Sequence, residues 1–140
     1  MSDASLLAPV FVQIALTIGL HIMMGRARIG SLKRGEIKVK DIVLGQPNWT
    51  QSGTQIGNSY HSQLQLPLIF FALVAFILIT KSNNLVFVTL AWLFVASRFV
   101  HSYIHTTSND ISKRFPAYAV GGALLCVMWS LFAAHTLLGT

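Results

Sequence analysis

Acidic side chains are scarce in this chain. Its 140 residues hold four Asp and Glu against ten Lys and Arg, and charged residues make up only 10% of the total. Asp3, Glu36, Asp41 and Asp110 all fall near or beyond the ends of apolar runs, which excludes paired-carboxylate catalysis and a buried carboxylate proton relay. Cysteine is scarcer still. Cys126 stands alone, so no intrachain disulfide can form, and inside an apolar run its thiol keeps its proton and serves packing. There is no phosphate loop, no nucleophile elbow, no HExxH motif, no internal repeat and no second domain.

What the chain has in abundance is apolar surface. At 54% hydrophobic residues, it has too few polar side chains to coat a water-soluble domain of its size. Four runs, at residues 4–25, 64–80, 85–104 and 115–138, approach the roughly 20 residues that a helix needs to cross the hydrocarbon core. The reading is an all-α membrane protein of four transmembrane helices, at about 5–28, 55–80, 84–106 and 111–138, forming a single domain over residues 1–140. The second helix includes the polar lead-in at 57–63, and Pro67, which lacks an N–H, is expected to kink it. Residues 29–54 form a long loop without helical or strand period, and 81–84 and 106–113 are short turns, so helices 2 and 3 must be antiparallel neighbours.

Orientation follows from the cations. Arg26, Arg28, Lys33, Arg34, Lys38 and Lys40 cluster in the first loop region, and Lys113 and Arg114 in the third, whereas the second has only Lys81. The excess of Lys and Arg places loops 1 and 3 in the cytoplasm and both termini outside. Topology and contact with anionic headgroups therefore explain the net charge of +6 without a nucleic-acid partner. The N-terminal residues lack the positive stretch of a cleaved signal, so helix 1 is expected to remain in the mature protein.

Ionisable residues at membrane depth are costly and mark functional positions by default. Arg98, His101 and His105 follow an i, i+3, i+7 spacing that puts them on one stripe of helix 3. Ser59, Tyr60 and Gln63 form a polar patch on helix 2 at a similar depth, and Arg26, Arg28 and Arg114 complete a cationic ring. Such a pocket suits an anionic ligand, since guanidinium groups fork onto carboxylates and a nearby cation favours thiolate. The plainer reading is that these side chains snorkel to headgroups or hydrogen-bond between helices. His101 and His105 also have the spacing of two metal ligands, but no acid or thiol stands near and Arg98 opposes a cation, so no metal is expected. Haem held by two of His21, His61, His101 and His105 is a further alternative.

The stretch Leu90-Ala-Trp-Leu-Phe-Val-Ala-Ser-Arg-Phe-Val-His101 resembles the third-helix signature of the membrane-associated proteins in eicosanoid and glutathione metabolism, the MAPEG family. Arg114-x-x-x-Tyr118 falls where that family's fourth helix carries an arginine and a tyrosine, and Pro67 matches its second helix. The combination of Gln63-Leu-Gln-Leu-Pro67 with His101-Ser-x-Ile-His105 looks closest to a bacterial branch, which implies the bacterial inner membrane. The resemblance implies a homotrimer that binds glutathione between subunits on the cytoplasmic side and acts as a transferase or peroxidase on a lipophilic small molecule entering from the membrane lipids. It also implies that Arg114 stabilises the thiolate, while Arg26 or Arg28, Ser59, Tyr60, Gln63, Arg98, His101, His105 and Tyr118 line the binding site. Helix 2 departs from the family pattern, with Gln63 where many members have glutamate and Tyr60 where they have asparagine. The family also contains a non-enzymatic lipid-binding member, so a lipid-binding or scaffolding module is the alternative function.

Overall fold

Residues 1–139 are described by a computed structural model in which the four apolar runs become four helical spans. The first span is α1 (Asp3–Lys33), the second is split into α2 (Gln51–Ser62) and α3 (Leu66–Ile79), and the third and fourth are α4 (Leu85–Thr106) and α5 (Ile111–Leu138). No strand occurs among the described residues. Each span is long and apolar enough to cross a membrane.

The caps explain the ends. Asn84 accepts the Phe87 N–H at 3.1 Å to start α4, and Asp110 accepts the Ser112 N–H at 3.0 Å to start α5. Thr50 accepts the Gly53 N–H at 3.2 Å, so α2 begins at Gln51, upstream of the expected residue 55. The α1 helix runs on to Lys33, past the expected end at 28, because Arg26, Arg28 and Lys33 are good helix formers that complement its negative C-terminal end. The loop is correspondingly shorter. Within it, residues 39–41 form one 3₁₀ turn, with Asp41 Oδ2 accepting the Lys38 N–H at 3.0 Å.

Pro67 does not bend a continuous helix. It sits in the first turn of α3, where its missing N–H costs nothing, and the chain breaks upstream at 63–65. There the Gln63 and Leu64 N–H groups tighten onto the carbonyls three residues back, and the Gln65 N–H makes only a long 3.4 Å bond to the Ser62 carbonyl. In a continuous helix Pro67 would offer no N–H to the Gln63 carbonyl and its ring would crowd it, so breaking and restarting the helix is the less strained solution.

Packing centres on α4, which touches α1, α2 and α5. Its inward stripe of Phe87, Val88, Ala91, Phe94 and Val95 continues into Arg98, His101, Ser102 and His105, all buried. The apolar half meets Phe70, Leu73 and Ile77 of α3 and Leu125 and Met128 of α5. Gly121 of α5 allows the close approach of α4: a methyl group there would stand 3.0 Å from Ser97 Oγ. Cys126 lies on the exposed face of α5, and so does not pack inside the bundle as the sequence alone indicated.

Phe70 and Phe94 are fully buried, with ring centroids 4.7 Å apart. In a bilayer the unfolded reference is also apolar, so removing a ring forfeits packing but little transfer energy. Phe94→Ala is therefore expected to cost about 2 kcal/mol, below the range for water-soluble cores. Detergent-titration unfolding in bicelles checks this, with lipid-facing Leu93→Ala as a control that should stay near wild type.

Candidate functional site

The α4–α5 turn end of the bundle carries a cavity of about 370 Å³ between α2, α4 and α5. Asn58, His61 and Ser62 of α2, together with Gln65 at the helix break, form one wall. His101 and His105 of α4 form the second. Ile111, Arg114, Phe115 and Tyr118 of α5 form the third.

Helical spacing creates each wall. Arg114 and Tyr118 are one turn apart, and so are His101 and His105, so each pair faces one direction. The Tyr118 ring lies 5.8 Å from the His101 ring, which meets the His105 ring edge-on at 5.4 Å. Both histidines are buried, and the Nδ1 atom of each has no hydrogen-bond partner. Buried polar atoms are ordinarily paired, so two orphans in one cavity wall mark a surface that a ligand can complete. Arg114 is half-buried and donates through Nη1 to Asn109 Oδ1. Asn109 has a positive φ of 51°, which asparagine tolerates, and the turn thereby holds its side chain beside the arginine. At the rim, Ile111 and Phe115 are 67% and 65% exposed, giving the cavity an apolar lip.

Arg98 stands behind this wall. Its side chain is fully buried and Nη2 donates to Ser62 Oγ at 2.6 Å and to the Ser62 carbonyl at 3.3 Å. It thus caps the broken C-terminal end of α2 with a positive charge, where the helix dipole favours one. Gln55 performs the reverse service, donating to the His105 and Thr107 carbonyls at 2.8 and 3.1 Å, so α2 and α4 tie off each other's ends.

The remaining residues expected from sequence lie elsewhere. Gln63 turns into the bundle, accepting from Gln13 Nε2 at 3.0 Å and donating to Ser102 Oγ at 2.9 Å and the Ser59 carbonyl at 3.2 Å. Ser59 is fully buried in the same place, and Tyr60 packs 5.2 Å from His21 on the α1 side. Arg28 stacks 4.6 Å above Trp49 and rests its guanidinium over Gly57. Arg26 is exposed. The cationic ring of the sequence reading is therefore divided within one chain: Arg114, His101, His105 and Tyr118 share the cavity, Arg98 backs it, and Arg26 and Arg28 belong to α1.

From the second span the cavity uses Asn58, His61 and Ser62 of α2 and Gln65 at the break, on a different side from Ser59 and Gln63. The i, i+3, i+4, i+7 spacing of the cavity residues puts them on one stripe, but the i, i+4 spacing of Ser59 and Gln63 does the same for the other, so spacing alone did not choose between them. Gln13, a lone amide within an apolar run, was an available signal. Among the described residues no group of three or more His, Cys, Asp or Glu is placed to hold a metal ion.

Comparison with curated proteins and with solved structures gave no match. A model of the MAPEG family matches residues 6–134, nearly the whole chain, and its span includes every cavity residue. The chain belongs to the MAPEG family.

Proposed function

We propose that this protein is a glutathione-type thiol transferase or peroxidase for lipophilic electrophiles, with Arg114 holding the thiolate. The observation that carries this is the placement of Arg114 in a cavity with two unpartnered imidazole nitrogens behind an apolar lip. A guanidinium stabilises thiolate over thiol, and the thiolate is the reactive nucleophile. In transfer, a sulfur lone pair forms the carbon–sulfur bond while the leaving group departs with its electron pair and the thiol proton passes to solvent. In peroxide reduction, two thiols become a disulfide while the hydroperoxide yields an alcohol and water. Ile111 and Phe115 offer the lipophilic partner a route from the bilayer. Arg98 acts through Ser62 by fixing the α2 wall and adding positive potential.

The family's trimeric habit supports a homotrimer in which an adjacent copy closes the open side of the cavity, where its exposed Arg26 is available. We place the cavity on the cytoplasmic side of a bacterial inner membrane, because the basic loop 34–50 and Lys113 lie at the same end. A non-catalytic lipid-binding module is the second reading, favoured by the apolar lip. Thermal unfolding of purified protein with 0 and roughly 5 mM glutathione separates the two. Stabilisation in wild type that is lost in Arg114→Ala is the expected result. Equal unfolding temperatures throughout, with co-purified lipid, would leave the lipid-binding reading standing.

A further inference from the structure

Resting on the anion-pocket reading above, we propose that the cavity takes an anionic thiol without a free ammonium group and discriminates against the α-amino group of glutathione. None of the residues lining the cavity is acidic. An ammonium group entering beside Arg114 would meet amides, imidazoles and a like charge, and so would lose hydration without gaining a counter-ion.

Within the subunit, each of the four acids of the chain is either remote from the cavity or already hydrogen-bonded elsewhere. Asp3 opens α1 at the far end of the bundle, where Asn83 of the α3–α4 turn donates to the Ser2 carbonyl at 2.8 Å. Glu36 gives both oxygens to Arg34, at 2.8 and 3.2 Å, and this pairing holds its carboxyl below the usual range. Asp41 caps the Lys38 N–H of the loop. Asp110 lies closest in sequence to the cavity, but its Oδ1 accepts from both the Ser112 N–H at 3.0 Å and the Ser112 hydroxyl at 2.6 Å. The cavity wall instead carries Gln65, an amide at the N-terminal end of α3 that donates and accepts but carries no charge.

The experiment measures the affinity of the full-length protein in nanodiscs for glutathione and for glutaryl-cysteinyl-glycine, the same tripeptide with hydrogen in place of the amino group. The deaminated analogue is expected to bind at least about tenfold more tightly. Gln65→Glu, which keeps the shape and puts a negative charge at a helix N-terminus that favours it, is expected to reverse the preference. Asp110→Asn keeps the helix cap and removes the negative charge nearest the cavity in sequence, and should leave the ratio unchanged within about twofold. Glutathione binding as tightly as the analogue in wild type overturns the inference while leaving the thiol-transferase reading intact. So does an Asp110→Asn variant that weakens glutathione alone. Failure of both peptides to bind removes the anion pocket itself, and the inference falls with it.

Discussion

Replacing Arg114 with alanine is expected to lower kcat for a chlorodinitrobenzene-type electrophile by about 100-fold at pH 7, the usual scale for removing one group aimed at developing or resident negative charge. The pH profile identifies the cause. An ordinary thiol ionises near 8.5, and a cation within a few ångströms lowers that by roughly one to three pH units. Removing the guanidinium leaves the bound thiol mostly protonated at pH 7. The rate of Arg114→Ala should therefore climb steeply as the pH rises towards 9, while the wild-type rate, already drawn from thiolate, stays nearly flat. Arg114→Lys keeps a charge but loses the planar fork and the Asn109 contact, and should recover part of the loss. A variant slowed equally at every pH would show that Arg114 shapes the cavity without stabilising thiolate.

Arg98→Ala is expected to destabilise the bundle by about 3 kcal/mol, although two of the buried nitrogens it removes, Nε and Nη1, have no partner. Three costs combine: the Ser62 carbonyl at the helix break loses its charged donor, the Ser62 hydroxyl loses its partner, and a fully buried side chain leaves a void between α2 and α4. Arg98→Met fills the void and leaves only the lost hydrogen bonds, so it should fall between wild type and alanine. Ser62→Ala removes the hydroxyl alone and should cost about 1 kcal/mol. Reversible unfolding in mixed bicelles orders the series. Wild-type stability in Arg98→Ala would mean that Arg98 does not cap the break, and would return it to the list of direct ligand contacts.

The third span was the most legible from sequence, because its buried stripe keeps helical period from Phe87 to His105 even as it changes from apolar to polar. The number of spans was legible for a related reason: in lipid every backbone group must be satisfied within the segment, so apolar length maps onto helices. The face of α2 was not legible. Residues 58–65 are polar on both sides, so periodicity could not say whether Ser59 and Gln63 or Asn58 and Ser62 would meet α5. That choice follows from the break at 63–65 and from the Gln55 and Arg98 bonds to partners 36 to 52 residues away. The placement of Arg28 was hidden too, because Gly53 and Gly57 make a groove on α2 that only the folded chain reveals.

The interruption in the second span also bears on how the protein enters its membrane. An isolated helix with freed carbonyls in hydrocarbon incurs several kcal/mol, and the donor that relieves Ser62 sits on the next span. The short turn from Thr80 to Asn84 lets Arg98 arrive almost at once. The second and third spans are therefore expected to insert as one unit, in which the arginine finds its acceptors at the break and the freed carbonyl finds its donor on the arginine.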